Sequence, residues 1–213
     1  MEISMNGFQK IILWLLCFSV LLGSCVSLKH INQKIEYYSL EYQPLSIQGN
    51  LDPLPVAIRI ERFNVSPVYD TNRIIYRDRS FKQDAYVKNQ WKSNPGAMVT
   101  HLLGRDLKES GLFKVVISNE GESPFSHILE GSVDEFFEWQ TQDIWKGVLI
   151  LSITFFSQTE RDAQKKVLFH KTYSVSKHCL KKDTKALAEA MSKAMQEISA
   201  EIIEDIYDAL RER

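Results

Sequence analysis

The chain has 213 residues, of which 44% are hydrophobic and 25% are charged, and its formal net charge is −1. This composition is that of an ordinary globular protein, and the length predicts one domain with a short tail. The near-zero charge argues against a nucleic-acid-binding protein, because a domain that binds phosphates is usually strongly basic.

The first segment, residues 1–24, is interpreted as a signal peptide. Residues 11–22 form an apolar run of 12 residues behind Lys10. A membrane-spanning helix needs about 20 residues, so this run is too short to span and has the length of a signal-peptide core instead. The run ends in Leu22-Gly23-Ser24-Cys25, which resembles a bacterial lipobox, where a lipoprotein is lipidated on cysteine and cleaved.

Cys25 is therefore the predicted lipidation site and the first residue of the processed chain. A diacylglycerol together with an amide-linked acyl chain such as palmitate would give stable membrane attachment, since two acyl chains suffice. Residues 25–34 are short and polar and are interpreted as the lipidated tether, which leaves residues 35–213 as a single folded domain. The alternative is an ordinary secretory signal followed by a chance cysteine.

The cysteine count agrees with lipidation. The chain has three cysteines, and Cys17 would leave with the signal peptide. A lipidated Cys25 leaves Cys179 alone, without a disulfide partner or a thiolate metal cage. The rival interpretation is a soluble secreted protein with a Cys25–Cys179 disulfide.

The N-terminal part of the domain is predicted to form strands. Alternating apolar residues predict strands over Ile35–Tyr42 and Val56–Ile60. A short apolar strand, Ile74–Tyr76, follows. The residues after it are interpreted as a polar excursion that carries Tyr86 and Trp91.

A helix is predicted over residues 95–110. Asn94 is a good N-cap, Pro95 suits the first helical position, and Gly111 can take the left-handed conformation that ends a helix. Apolar residues at three- and four-residue spacing form one face: Met98, Val99, Leu102, Leu103 and Leu107.

The second half of the chain predicts a strand over Phe113–Ile117 and then three long strands, His127–Trp139, Trp145–Ser157 and Val167–Lys177. Short polar links join the long strands, which predicts an antiparallel meander. Two sets of residues are each expected to share a face: Leu129, Gly131, Val133, Phe137 and Trp139 in the first long strand, and Val167, Phe169, Tyr173 and Val175 in the third.

The last element is a helix over Thr184–Leu210 with Asp183 as its N-cap. One apolar stripe runs along it, which favours packing against a core over a membrane-lying or partner-binding face. The predicted fold is therefore an α/β domain of the layered α+β type. Its mixed, largely antiparallel sheet has about six to seven strands and packs against two main helices, at about residues 95–110 and 184–210.

Chemistry-bearing motifs are scarce. His170, His178 and Cys179 could together indicate zinc, but they have no second ligand cluster, and chance placement is favoured. Asp106 and Glu109 are interpreted as an exposed helix pair. No nucleophile, base and orienting group can be assembled from the sequence, so neither an enzymatic activity nor a cofactor is predicted, and a lipoprotein hydrolase is the weakest hypothesis.

Charges are unevenly distributed along the chain. Residues 115–145 contain seven acidic residues and no Lys or Arg, whereas residues 165–185 contain seven lysines and one acidic residue. Two solvated faces would explain this pattern. The sharper hypothesis is a homo-oligomer in which an acidic side stacks on a basic side.

An aromatic segment interleaved with arginines precedes the first helix. Tyr, Trp and Arg are favoured at the centres of protein interfaces, so the segment is either an interface or core packing beneath a loop. Its members are Tyr69, Tyr76, Tyr86, Trp91, Arg73, Arg77 and Arg79.

The order of these features resembles the ABC-type transport auxiliary lipoprotein family, the small lipoproteins that accompany mammalian-cell-entry-type lipid transporters. The resemblance covers nearly all of residues 25–210, and no single motif is diagnostic. The matching residues are Leu22–Cys25, Tyr37–Leu40, Val56–Arg59, Phe63, Asn72–Arg77, Tyr86, Trp91, Pro95, Met98-Val99, Leu103–Leu107, Leu129–Val133, Phe136, Val167–Tyr173 and Ala186–Met191.

The resemblance implies a layered αβ domain on the periplasmic face of the cell envelope. It implies no catalysis, and it implies a permease, an ATPase and a mammalian-cell-entry-domain protein as partners in moving lipids or other apolar molecules. Only Cys25 carries over as a site. Val26 follows it where enteric-type retention in the inner membrane would need Asp, so an outer-membrane anchor is expected. The alternative function is a structural or assembly role in the envelope.

Overall fold

The structure, a computed structural model, describes residues 7, 34–44, 52–118, 124–162 and 166–212. Apart from Gly7 and Lys34, the predicted signal peptide and tether, including Cys25, lie outside these residues. The described elements are β1 (Glu36–Tyr38), β2 (Leu54–Ile60), β3 (Asn64–Val65), β4 (Arg73–Arg77), β5 (Gln83–Trp91), α1 (Pro95–Glu109), β6 (Phe113–Ile117), β7 (His127–Gln140), β8 (Trp145–Ser157), β9 (Val167–His178) and α2 (Thr184–Arg211).

The central strand is β7. Along one edge it pairs antiparallel with β8, which pairs antiparallel with β9, so the predicted meander is confirmed. Along its other edge β7 pairs in parallel with three short strands in turn, namely β2, β3 and β4. Strand β6 extends the sheet beyond β2, and β5 and then β1 extend it beyond β4. The result is a mixed sheet of nine strands.

The predicted fold class is confirmed, with more strands than the sequence indicated. The two-residue strand β3 is too short to show any alternation. Strand β5 was interpreted as a polar excursion, but it pairs with β4 and β1 and ends at Trp91, which is buried. Its other side chains are mostly polar and half-exposed, so they give a weak apolar signal.

The two helices contact each other and cover one face of the sheet. Helix α1 begins as predicted, because Asn94 Oδ1 accepts the Gly96 N–H at 2.9 Å and Pro95 follows the cap. Helix α2 begins with Asp183 Oδ1 accepting the Ala186 N–H at 2.8 Å. The apolar stripe of α2 packs into the core, which confirms the favoured prediction for this helix. Neither helix is both long and apolar enough to cross a membrane.

A bulge in β7 overturns part of the predicted face. Val133 pairs with Leu151 and Glu135 with Ile150, so Asp134 is an extra residue that reverses the alternation. Leu129, Gly131 and Val133 therefore share a face with Phe136 and Glu138, and not with Phe137 and Trp139. The sequence pattern could not reveal this, because Phe136 and Phe137 are both buried.

A second bulge corrects the prediction for β9. Phe169 pairs with Phe155, but Val167 pairs with Phe156, so Leu168 is the extra residue. Val167 therefore lies on the opposite face from Phe169, Tyr173 and Val175, and it is 41% exposed.

Candidate functional site

The segment that follows β1 is bonded to both helices. Residues 39–43 have no regular secondary structure, and we call them the strap. The Glu41 N–H donates to Ser192 Oγ at 2.9 Å, and Gln196 Nε2 donates to the Gln43 carbonyl at 2.9 Å. Both bonds attach the strap to α2. The strap directly follows β1, which pairs with β5, so the start of the domain is held first by the sheet and then by both helices.

A buried carboxylate attaches the strap to α1. Tyr42 Oη donates to Asp106 Oδ2 at 2.5 Å, while Arg105 donates to Asp106 Oδ1 through Nε and Nη2 at 2.9 and 2.8 Å. Arg105 Nη1 also donates to the Tyr42 carbonyl at 3.2 Å, and its guanidinium lies 4.4 Å from the Tyr42 ring centre. Burial, and then the bond to Asp106, raise the pKa of the Tyr42 phenol, so it remains a donor at neutral pH.

The prediction that Asp106 forms an exposed pair with Glu109 is therefore wrong. Asp106 is 2% exposed, although Glu109 is exposed. Asp106 is covered by the strap, whose Tyr42 is 64 residues away in the chain. The sequence around α1 gives no local signal for a contact at that separation.

A groove of about 590 Å³ opens between the strap and α1. Met98 and Leu102 supply apolar surface, whereas Tyr42, His101 and Arg105 supply polar groups. Arg105 and Asp106 are already paired with each other, and Arg105 also donates to the Tyr42 carbonyl. Neither residue therefore offers an unpaired charge to the groove. The groove is lined by both apolar and polar side chains.

A second buried acid, Glu138, lies near the C-terminal end of β7. It is 1% exposed, and its Oε2 accepts from Tyr86 Oη at 2.9 Å and from Gln140 Nε2 at 3.1 Å. Its Oε1 is buried without a hydrogen-bond partner in the described part of the chain. Burial raises the pKa of this carboxyl above its usual range. The bulge at Asp134 turns Glu138 inward, so this cluster could not be predicted from the alternation of residues in β7.

The three residues considered as zinc ligands, His170, His178 and Cys179, lie on β9 or directly after it. His170 Nδ1 lies 2.8 Å from Thr154 Oγ1 on an exposed part of the sheet, whereas Cys179 is half-buried. Burial, and then the charge of Glu138, raise the pKa of the Cys179 thiol to about 11. Within the described residues, no three His, Cys, Asp or Glu side chains are arranged to hold a metal ion. Cys179 is a free cysteine.

One serine lies beside a histidine, but the contact is structural. Ser126 Oγ is 2.8 Å from His127 Nδ1. The same oxygen accepts the Ala57 N–H at 3.1 Å and lies 3.2 Å from the Ala57 carbonyl. These bonds clamp β2 to the start of β7, and the His127 ring stacks on Phe155.

The aromatic and arginine segment is largely core packing. Tyr69 and Trp91 are 4% and 2% exposed. Arg77 donates to Tyr69 Oη at 3.1 Å and pairs with Glu135 at 3.4 Å, and its guanidinium lies 4.6 Å from the Phe137 ring centre. Of the seven members of the segment, only Arg73 and Arg79 are exposed to solvent.

The two oppositely charged segments are partly neutralised within the chain. Lys171 Nζ lies 2.6 Å from Asp205, and Lys177 pairs with Glu197, so α2 supplies acids beside the lysines of β9. In the acidic segment, Glu138 is buried and Glu135 pairs with Arg77. The charge contrast is therefore smaller than the sequence suggested, and head-to-tail assembly stays a prediction.

Comparison with known proteins supplies the family. A family model described as "ABC-type transport auxiliary lipoprotein component" matches residues 38–203. No curated protein sequence matches significantly. A crystal structure of a DUF330-family protein from Xanthomonas campestris is similar, with 16% identity and a TM-score of 0.69 over 84% of this chain and 98% of the other.

Two further solved structures share the fold. An uncharacterised protein is 16% identical, with a TM-score of 0.63 over 81% of this chain and 99% of the other. A hypothetical protein from Chlamydia trachomatis is 8% identical, with a TM-score of 0.51 over 75% of this chain and 100% of the other. These likenesses show the fold alone. The family model spans more than half of the chain, from β1 into α2, and the chain therefore belongs to the ABC-type transport auxiliary lipoprotein family.

Proposed function

We propose that the protein is a lipid-anchored, non-enzymatic accessory subunit of an ABC transport system of the mammalian-cell-entry type. In this role it would sit on the periplasmic face of the envelope, anchored in the outer membrane through Cys25. It would help a permease, an ATPase and a mammalian-cell-entry-domain protein to move lipids or other apolar molecules. The observation that carries the proposal is the family match over residues 38–203.

Two features of the chain support an anchored role. Leu22-Gly23-Ser24-Cys25 resembles a lipobox at the end of a signal-peptide core. The strap that follows β1 is bonded to both helices, so a load on the N-terminal tether would be shared by both. A protein that holds a partner complex at a membrane needs such a connection between anchor and domain.

The test is a pull-down from native membranes in mild detergent, with the wild-type protein beside Cys25→Ser. Mass spectrometry should find a mammalian-cell-entry-domain protein or its permease with the wild type, and less of it with Cys25→Ser. Tyr37→Phe is a matched control because Tyr37 is exposed and lies outside the lipobox. Recovery of outer-membrane barrel or cell-wall proteins alone would contradict the transport role and favour a structural or assembly role.

A further inference from the structure

The two most exposed large apolar side chains of the described residues lie on loops, and a third exposed one lies on a turn between strands. Phe81, at the tip of the β4–β5 hairpin, is 99% exposed. Leu180, between β9 and α2, is 81% exposed, and Ile144, in the turn between β7 and β8, is 37% exposed. Single exposed apolar residues are common, but several on one surface mark an interaction site.

Strand register places these three loops at the same end of the sheet. Arg77 pairs in parallel with Trp139, so the hairpin tip and the β7–β8 turn lie beyond neighbouring strand ends. The Cys179 N–H donates to the Trp145 carbonyl at 2.8 Å, which puts Leu180 just beyond the start of β8. Lys182 Nζ donates to the Gln142 carbonyl and ties the third loop to the second. We call Phe81, Ile144 and Leu180 the apolar rim.

The backbone at Phe81 is held in an unfavourable conformation. Its φ is +62°, in the left-handed region that bulky residues rarely adopt. The turn is fixed by Asp78 Oδ1, which accepts the Ser80 N–H at 2.8 Å. Strain of this kind persists where the surrounding structure imposes it, often at functional positions. Here its result is an aromatic ring presented to solvent with no internal packing to account for it.

The chain enters the domain from the same end. Strand β1 runs parallel to β5, with Glu36 opposite Asn89. Moving from Glu36 back toward the N-terminus therefore follows the same direction as moving from Asn89 back toward Phe81. Cys25 is 11 residues before Glu36, a reach of at most about 40 Å when extended. Phe81 is eight residues before Asn89, at most about 29 Å along β5, so the tether is long enough for the rim to reach an anchoring membrane.

Positive and negative charges around the apolar rim are balanced in number. Apolar insertion can therefore be told apart from electrostatic attraction to anionic lipid. Four exposed basic residues are accompanied by four exposed acidic residues: Arg79, Lys82, Lys181 and Lys182, and Asp78, Asp84, Asp143 and Asp183. A surface that bound anionic lipid through charge would carry an excess of Lys and Arg. Contact through the rim should therefore depend little on salt.

We propose that the apolar rim docks on the surface of the bilayer that holds the Cys25 anchor, with Phe81 and Leu180 inserted at the headgroup and acyl-chain boundary. The strands then stand end-on to the membrane, and the helices and the strap groove stay accessible from the side. The inference rests on the anchoring in the proposed function and adds an orientation to it.

The experiment uses the full-length lipidated protein in phosphatidylcholine vesicles. An environment-sensitive dye is attached at Lys82→Cys beside the rim, or at Val115→Cys on β6 as the control, each in a Cys179→Ser background. Strand β6 lies beside β2, which pairs with the start of β7, so Val115 is at the opposite end of the sheet. Shallow spin-labelled lipids should quench the dye at position 82 strongly and the dye at position 115 weakly, at low and high salt alike.

Substitutions of the rim give the second arm. Phe81→Ser with Leu180→Ser should lower the ratio of docked to undocked protein about a hundredfold, since each lost apolar side chain contributes about tenfold. Val167→Ser is the matched control, because Val167 is 41% exposed and lies away from the rim. It should leave the quenching at position 82 unchanged.

The outcomes separate the two proposals. Protein that fails to float with the vesicles would refute the anchor and the rim together. Protein that floats, with a dye at position 82 no more quenched than at position 115, would refute the rim alone. A dye at position 82 that is shielded from water but not quenched by lipid would also refute it, because the rim would then be covered by protein, for example by a second copy.

Discussion

Replacing Tyr42 by Phe tests whether the strap is held to α1 by the bond to Asp106. The substitution removes the hydroxyl that donates to Asp106 Oδ2 at 2.5 Å and leaves the ring beneath Arg105. A hydrogen bond to a charged group contributes about 1.5–3 kcal/mol. Asp106 keeps its two bonds from Arg105, so we expect the free energy of unfolding to fall by about 2 kcal/mol.

A double-mutant cycle isolates the contact. Asp106→Asn keeps the shape of the side chain but removes its charge, and Arg105 is 27% exposed, so water can partly compensate that partner. If Tyr42 and Asp106 interact directly, the loss in the double variant should be smaller than the sum of the single losses by about 1 kcal/mol or more. Tyr37→Phe is the matched control, because Tyr37 is 55% exposed, and it should change stability by less than about 0.5 kcal/mol.

The assay is urea unfolding followed by tryptophan fluorescence, with hydrogen exchange of residues 39–43 as a local readout. Tyr42→Phe should lower the unfolding midpoint and speed exchange in the strap. Unchanged stability, or losses that add fully in the double variant, would refute the assignment of the strap bond. Faster exchange across the whole domain, with none specific to the strap, would do so as well.

Two further variants and one alkylation rate test other positions of the domain. Gly131→Ala would put a Cβ 2.5 Å from Phe63 Cε1 and 2.9 Å from a carbonyl oxygen, so the melting temperature should fall with a loss of about 1–3 kcal/mol. Glu138→Gln should gain stability relative to wild type as pH rises from about 4 to 8, because the raised pKa of Glu138 means that its ionisation opposes folding. Cys179 should react with iodoacetamide at pH 8 about a hundredfold more slowly than an ordinary thiol, since its pKa is raised from 9.0 to about 11.

Each of these three predictions has a result that would contradict it. Exposed Glu130, on the same strand as Glu138, provides the control Glu130→Gln, whose stability difference from wild type should not vary with pH in the same way. Parallel pH curves for wild type and Glu138→Gln would mean that Glu138 is not desolvated. Equal alkylation rates of Cys179 in folded and urea-unfolded protein would show that burial does not control its ionisation. A stable Gly131→Ala protein would show that the Phe63 ring moves aside freely.

The correct predictions came from long, regular sequence patterns. The physical basis of these patterns is local. Helix α1 has its cap at Asn94 and a stripe that the core buries, and α2 repeats the arrangement from Asp183. The β7–β8–β9 meander follows from strands joined by short links. Cap geometry and periodicity depend on residues within one or two turns, so they can be read without knowing the rest of the fold.

Apart from β5, whose own side chains give a weak apolar signal, the errors involve information that is not local. One extra residue at Asp134 reverses the faces of β7, and nothing in the order of neighbouring residues marks a bulge there. The exposed placement predicted for Asp106 is wrong because its partner Tyr42 comes from a distant segment. No prediction was made for Glu138, which the bulge turns inward. The candidate sites of this domain are thus where sequence periodicity is least informative, while Cys25, predicted from a lipobox-like sequence, lies outside the described residues.

The three parallel pairings on one edge of β7 have a consequence for the order of folding. The β7–β8–β9 hairpins are local and can form early, whereas the bond between Ala57 and Ser126 spans 69 residues and that between Glu41 and Ser192 spans 151. Contacts at such separations close slowly, because a large loop must be ordered first. During synthesis the N-terminal strands emerge long before the strand they pair with, so this pairing must wait until β7 has been made. The strap, whose bonds to α2 span 151 and 153 residues, is then among the last parts of the domain to become ordered.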